Sequence, residues 1–306
     1  MKYFFNASLL LLALPLWAET IPLSHQSNQP SSISINEMKT RGFSLHNIKF
    51  DLNKVDAVAH PTQQKYKVLS EKDISFSQTV GEAQLPFKSL VVVGSPDEIE
   101  VTIDAKHAVD VSMLAAPAQL ADCRCEDNKN KKWIPLKKSS QENLFQVESL
   151  GKFRGQELSR VTIYAAEVNL ETAVTSFYPS LEAQVRSQGT LSSLYNEELN
   201  SDYDFLVVSP KNLLPGLVDF VQYKTQSGLK VKVVNLEDIG SDVAKLTQFF
   251  KAEYQNANYK YALIVGTDDL FPNHQVDTSG SSRTPSDYPY FLMDDQDMIP
   301  DVQYGR

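Results

Sequence analysis

The chain has 306 residues, 42% of them hydrophobic and 22% charged, with 12 Gly, 15 Pro and 2 Cys, which excludes low-complexity, collagen-like and disulfide-scaffold proteins. At roughly 150 residues per domain it accommodates two cores that need no metal or disulfide staple. Lys plus Arg is 29 and Asp plus Glu 38, net −9, which argues against a nucleic-acid partner, because no phosphate-binding surface can spread over such a protein.

Residues 1–20 read MKYFFNASLLLLALPLWAET. A lysine at position 2, an apolar stretch from Ala7 to Trp17 and the small residue Ala18 form a secretory signal peptide over residues 1–18, cleaved after Ala18. Leu16 is larger than the ideal residue at its place, so an uncleaved anchor is the alternative. The stretch is shorter than the roughly 20 residues of a membrane span, and no other segment could cross a bilayer. The sequence therefore predicts a secreted protein, extracellular or periplasmic, with no membrane attachment beyond the signal peptide.

Residues 19–40 (ETIPLSHQSNQPSSISINEMKT) are rich in Ser, Asn, Gln and Pro and are expected to be a mobile leader without a core. Residues 41–186 carry short alternating runs such as FSLHNIKFDL, KYKVLSE, SLVVVG, EIEVTID, FQVESLG, SRVTIYAAEVNL and SLEAQV. Turn-forming clusters, among them Gly94-Ser95-Pro96-Asp97 and Gly151-Lys152, separate them, and the spacing predicts an all-β, sandwich-like domain. A polar stretch, residues 187–203, reads as the linker.

Over residues 204–306 the period changes. DFLVVS, LKVKVVN and YALIV are apolar runs suited to strands covered on both faces. Between them lie a helix opened by Ser209-Pro210 and stopped at Gly228, and a second helix capped by Ser241 with Val243, Leu246, Phe249, Phe250 and Tyr254 on one face. This order predicts a parallel sheet whose sites collect at the carboxyl ends of its strands, after Ser209, Asn235 and Gly266.

Cys123 and Cys125 form a C-x-C pair that could close a small disulfide, bind a soft metal or remain two thiols, with no third ligand nearby in sequence. The run Lys129, Lys131, Lys132, Lys137 and Lys138 reads as a solvated hairpin tip, too short to neutralise many phosphates. Dinucleotide, P-loop, zinc-peptidase and serine-hydrolase signatures are missing from the sequence. The acidic cluster Asp294, Asp295, Asp297 and Asp301 offers carboxylates at spacings that could converge on calcium, although a solvated acidic loop needs no metal.

YALIVGTDDLFP, SDYPYF and DDQDMIPDVQYGR resemble the start of the catalytic domain of gingipain-like cysteine peptidases, and VTIYAAEVNLETAVTSFYPSLEAQV resembles the end of their all-β propeptide. The matching elements are Gly228, Val265-Gly266, Ser286-Asp287 with Tyr290, Asp297 and Asp301, and Gly305-Arg306. The family's VGD is VGT here, with Asp268 and Asp269 just beyond. The resemblance implies an all-β propeptide followed by an incomplete α/β caspase-like domain, and a precursor of a secreted cysteine endopeptidase acting on protein or peptide substrates. In that family the catalytic His and Cys lie beyond the Gly-Arg element, so no catalytic residue falls in this chain, which is expected to be inert by itself as a truncated precursor. The chemistry requires no cofactor, and structural calcium is expected at Asp297 and Asp301. Activation of such precursors by cutting between the domains makes Arg186 a candidate processing site, or else a surface arginine. The other readings are a secreted binding or inhibitory module acting on a peptidase in trans, and a degenerate fragment without activity.

Overall fold

The computed structural model describes residues 18–40, 42–119, 133–137, 143–190, 194, 202–277, 283–294 and 297–306. Residues 1–17, which carry most of the expected signal peptide, Cys123 and Cys125, and most of the lysine run lie outside them. Among the described residues no helix is long and apolar enough to cross a membrane.

The N-terminal part is all strand: β1 (Glu19–Pro22), β2 (Ser32–Thr40), β3 (Phe43–Asp51), β4 (Lys54–Ala59), β5 (Tyr66–Ser70), β6 (Phe87–Val93), β7 (Glu100–Lys106), β8 (Val109–Val111), β9 (Leu114–Ala115), β10 (Phe145–Phe153), β11 (Gln156–Tyr164), β12 (Ala166–Asn169), β13 (Val174–Phe177), β14 (Ser180–Ser187) and β15 (Gly189–Thr190). They form the sheets β2-β3-β14-β7, β10-β11-β6-β15, β1-β4-β5-β9 and β12-β13-β8. The two-residue period decides which face is buried. In β14, Leu181, Ala183 and Val185 point inward, opposite Phe50, Ile48 and His46 of β3, and join Leu85, Val161, Ile163 and Phe177 in one core. His46 is buried with its Nε2 lacking a partner, and burial lowers its pKa.

The expected mobile leader is a correction. β1 pairs with β4 and β2 runs antiparallel to β3 along its whole length, while Leu23 is buried in the core and Ile21 and Ile33 pack against it. Isoleucine and leucine at alternating positions give these residues a strand period beneath a polar composition. A second correction concerns Gly151-Lys152, which is no turn. It lies within β10, where the register to β11 shifts in a bulge between Ser149 and Gly151, and the chain reverses at Arg154-Gly155. The linker also starts later than residue 187: β14 runs through Ser187, Gly189 and Thr190 pair with Val93 and Val92 of β6, and Leu194 is buried.

The C-terminal part consists of β16 (Phe205–Ser209), a 3-10 turn (Leu214–Leu217), α1 (Val218–Gln226), β17 (Val231–Asn235), α2 (Leu236–Ile239), α3 (Val243–Ala257), β18 (Tyr261–Ile264), a hairpin β19 (His274–Asp277) and β20 (Arg283–Ser286), a 3-10 turn (Tyr288–Phe291) and β21 (Gln303–Gly305). β17, β16, β18 and β21 lie side by side in that order, all parallel. All five residues of β16 are buried, as its apolar run requires. Helix α1 begins at Val218 rather than after Ser209-Pro210, because Pro215 and Gly216 hold the preceding turn in a 3-10 form. Helix α3 is capped by Asp242 instead of Ser241, its carboxylate accepting from the Lys245 N–H at 3.0 Å. Phe250 of α3 centres the core, 5.3 Å from Tyr290 and 5.0 Å from Phe291 between ring centroids.

Candidate functional site

The strand order reverses between β16 and β18, and in open α/β sheets the crevice at such a switch point, outside the carboxyl ends, is where ligands bind. The loop after β16 carries Pro210 and the loop after β18 carries Gly266. Gly266 has φ +122°, which favours glycine, and a Cβ there would crowd the Leu270 Cβ of its own loop at 3.2 Å, while the Pro210 ring of the other loop stands at an ordinary contact distance of 3.8 Å. The Lys211 N–H donates to the Glu237 carboxylate at 3.0 Å and ties the loop after β16 to α2, which follows β17.

Arg306, directly after β21, holds this edge together. Its Nε donates to Asp287 Oδ2 at 2.7 Å and its Nη2 to Asp287 Oδ1, while Nη1 reaches the Gly266 and Phe271 carbonyls, each at 3.2 Å, and Asp268 Oδ1 at 3.3 Å. The guanidinium stacks on Phe271 at 5.6 Å. The hydrogen bond to Asp287 is the main cause that pushes the Arg306 pKa up. Three elements distant in sequence, Val265-Gly266, Ser286-Asp287 and Gly305-Arg306, therefore meet at one place, and Asp268, one residue past the missing VGD aspartate, joins them. With this many acceptors around it, the guanidinium clamps the edge and is not free to bind a substrate anion.

The edge has no thiol, since residues 198–306 contain no cysteine, and His274 is their only histidine. His274 accepts or donates to Thr247 Oγ1 at 3.0 Å and stands edge-on to Tyr290 at 4.6 Å. Burial lowers its pKa, outweighing the opposing charge of Asp287, so the partly buried ring favours its neutral form.

Asp297 and Asp301 lie away from this edge. Asp301 precedes β21 and, with 3% of its surface exposed, sits at the amino ends of the strands. Its Oδ1 accepts the Arg154 N–H at 2.6 Å and its Oδ2 the Met293 N–H at 3.2 Å; burial raises its pKa against these hydrogen bonds. Asp297 accepts the Lys152 N–H on Oδ2 and the Ile299 N–H at 2.7 Å on Oδ1. All four carboxylate oxygens are engaged with backbone donors, and among the described residues no group of three or more His, Cys, Asp or Glu could hold a metal. Calcium takes six to eight oxygens, more than Asp297 and Asp301 supply between them.

Ala18 is exposed immediately before β1. Arg186 is in β14: its backbone faces Leu45 of β3 on one side and Glu100 of β7 on the other. Its side chain lies over Phe43 at 4.6 Å and pairs with Glu100 at 3.2 Å. A peptidase would have to strip this strand from both neighbours to cut there. Sequence reasoning missed Arg154, whose signal was an arginine placed before glycine in KFRGQ, where a tight hairpin favours asparagine.

Residues 198–306 match the model of peptidase family C25. No curated protein sequence matches the chain. Among solved structures, the gingipain K of Porphyromonas gingivalis described for its zymogenic latency is 16% identical, with a TM-score of 0.39 over 57% of this chain and 100% of that one. The complex of Porphyromonas gingivalis RgpB pro- and mature domains is 13% identical, with a TM-score of 0.35 over 62% of this chain and 95% of that one. The Arg-specific cysteine proteinase gingipain R (RgpB) is 31% identical, with a TM-score of 0.31, covering 36% of this chain and 25% of that one. The C25 match spans β16 to β21, so both the Arg306 clamp and the acidic turn belong to the C25 segment, while Arg154 reaches it from the β domain.

Proposed function

We propose that this chain is the N-terminal portion of a secreted, gingipain-like cysteine endopeptidase precursor: a signal peptide, a β propeptide over residues 19–190, and the first part of an α/β catalytic domain. The observation that carries this reading is the C25 match over residues 198–306 on a parallel sheet whose carboxyl edge is assembled by the Arg306 clamp. Family chemistry is attack by a thiolate paired with an imidazole, through a tetrahedral intermediate held by oxyanion donors. The role of these residues in it is to shape and fix the carboxyl edge against which such a pair would work. They supply neither a cysteine nor a solvent-facing imidazole.

The reading has a direct test. Purified protein of these 306 residues, incubated with mixed peptide substrates, is expected to show no hydrolysis sensitive to thiol alkylation; turnover abolished by iodoacetamide would overturn it. In an exporting host, N-terminal sequencing is expected to begin at Glu19, and a product retaining residues 1–18 would remove the secretory part of the proposal.

A further inference from the structure

Strand β3 places one histidine in the core of the β domain. His46 keeps 5% of its surface exposed, and its Nε2 is buried without a hydrogen-bond partner, although a buried imidazole ordinarily has its ring nitrogens satisfied. The two-residue period sets it beside Ser44 and Ile48 on the core face. Residues opposite each other on paired strands stand about 5 Å apart at Cβ, so His46 is flanked by Val185 of β14 and by Glu37 of β2. The two flanks differ. Val185 is fully buried, and Ser187, the next residue on its face, donates its hydroxyl to the Gly189 carbonyl at 3.0 Å. Glu37 is exposed and pairs with Lys39 of its own strand at 3.4 Å.

Strand β2 therefore closes the ring's open side, and its hold is weak. It is the outermost strand of its sheet. Ile33 packs on the core, but Ile35 and Met38 keep 39% and 56% of their surface exposed. Among the described residues, the charged groups that act on the ring are Glu37, which favours the imidazolium, and Lys39, which opposes it; burial outweighs both and lowers the pKa. The facing positions of β3, β14 and the adjoining β15 carry no titratable side chain. A proton taken up by the ring in place finds no acceptor in the core, and an uncompensated buried charge is costly. Lifting β2 lets the ring reach water.

We propose that His46 makes the pairing of β2 to β3 an acid-released latch: the ring stays beneath β2 only while neutral, and acidification detaches residues 32–40 while the rest of the β domain remains folded. The detached state takes up the proton first, so the latch holds above about 6.5 and weakens as pH falls below it, until the ring in place protonates as well. This inference rests on the geometry of one sheet and not on peptidase activity, so it can fail while the proposed function stands, and the reverse.

The test is amide hydrogen exchange on the full chain at pH 7 and pH 5, corrected for its intrinsic pH dependence. Amides of β2 and their partners in β3 are expected to open several-fold more often at pH 5, with a ceiling of about 25-fold set by an ordinary histidine pKa near 6.5. Those of Val161 and Ile163 in β11 should keep their protection. His46→Leu, which fills the same place without a titrating group, is expected to make β2 insensitive to the change. Two variants on the exposed strand act in opposite directions and decide the matter even if His46→Leu does not fold. Glu37→Gln removes the charge that favours the imidazolium and should steepen the acid response, whereas Lys39→Gln should flatten it. Acid opening of β2 that persists in His46→Leu, a reversed order of the two charge variants, or equal acceleration at Val161 and Ile163 would overturn the inference.

Discussion

The two edges of the parallel sheet each fix one arginine near one aspartate, and they do so in opposite ways. At the carboxyl edge the Asp287 carboxylate binds the Arg306 guanidinium directly through two hydrogen bonds, a charge pair made within the α/β unit. At the amino edge the Asp301 carboxylate binds backbone N–H groups of Arg154 and Met293, and the Arg154 guanidinium goes instead to carbonyl and amide oxygens of Asn258, Tyr259 and Asp301. A bidentate carboxylate–guanidinium pair is strong wherever it forms. Carbonyls at a helix end can accept a cation from outside, so the second arrangement suits an interface between separately folded parts, and the first suits internal bracing.

The largest effect is expected where a buried acceptor serves two donors. Asp301→Ala leaves the Met293 and Arg154 N–H groups without their partner in a part-buried site, and since stranding a fully buried donor costs about 1–3 kcal/mol, about 2–3 kcal/mol is expected for the two. Amide exchange at Met293 and Arg154 should accelerate together, with amides of β16 unchanged. Asp301→Asn retains one acceptor oxygen and should lose about half as much. If exchange at both amides stays at the wild-type rate in Asp301→Ala, the amino edge is not held as described.

A smaller effect is expected at the carboxyl edge. Asp287 and Arg306 keep 13% and 21% of their side-chain surface, so the pair is only partly desolvated, and its coupling should be about 1–2 kcal/mol in a double-mutant cycle. Chemical denaturation of Asp287→Ala, Arg306→Ala and the double variant measures it. Arg306→Lys should behave nearly as Arg306→Ala, since lysine cannot form the fork or reach the Gly266, Asp268 and Phe271 acceptors at once. Additive single effects would show that the three sequence elements meet by packing alone.

How much of this was legible follows from what each feature depends on. The strands FLVVS, VKVVN and YALI announced themselves because apolar residues dominate them, although only FLVVS is buried at every position and VKVVN leaves Val233 exposed, and the alternation in SLEAQV placed β14. Two reasons hid the rest. Strand β2 carries only a short Ile33 and Ile35 alternation and the hairpin β19–β20 few apolar residues, so pairing to a neighbour completes what a weak local pattern begins. The site elements Gly266, Asp287 and Arg306 were visible as a resemblance, but their convergence is a property of parallel strand order. Arg154 was least visible, since its importance appears only when an unfavourable turn residue is set beside acceptors more than a hundred positions away.

The smallest effect uses pH to move the two edges in opposite directions. His274, packed on Tyr290 near Asp287, has its pKa lowered by burial, so the folded state favours the neutral ring and the unfolded chain takes up the proton first. Stability from this group is present above about 6.5 and is lost as pH falls below it. Asp301 has its pKa raised, by burial first and then by Asp294 and Asp297, against the hydrogen bonds from Arg154 and Met293. The folded state therefore takes up the proton before the unfolded chain does, and this contribution grows as pH falls toward 3.8 and fades as pH rises through the folded value. Tyr254, the titratable ring beside Arg154, has a pKa of about 12 and does not respond in this window. Between pH 7 and 5, exchange rates corrected for intrinsic pH dependence should rise near His274 and Tyr290 and hold or fall at Met293 and Arg154. His274→Gln should abolish the first change and leave the second, and parallel movement of both edges in the wild-type protein would mean that they open as one unit.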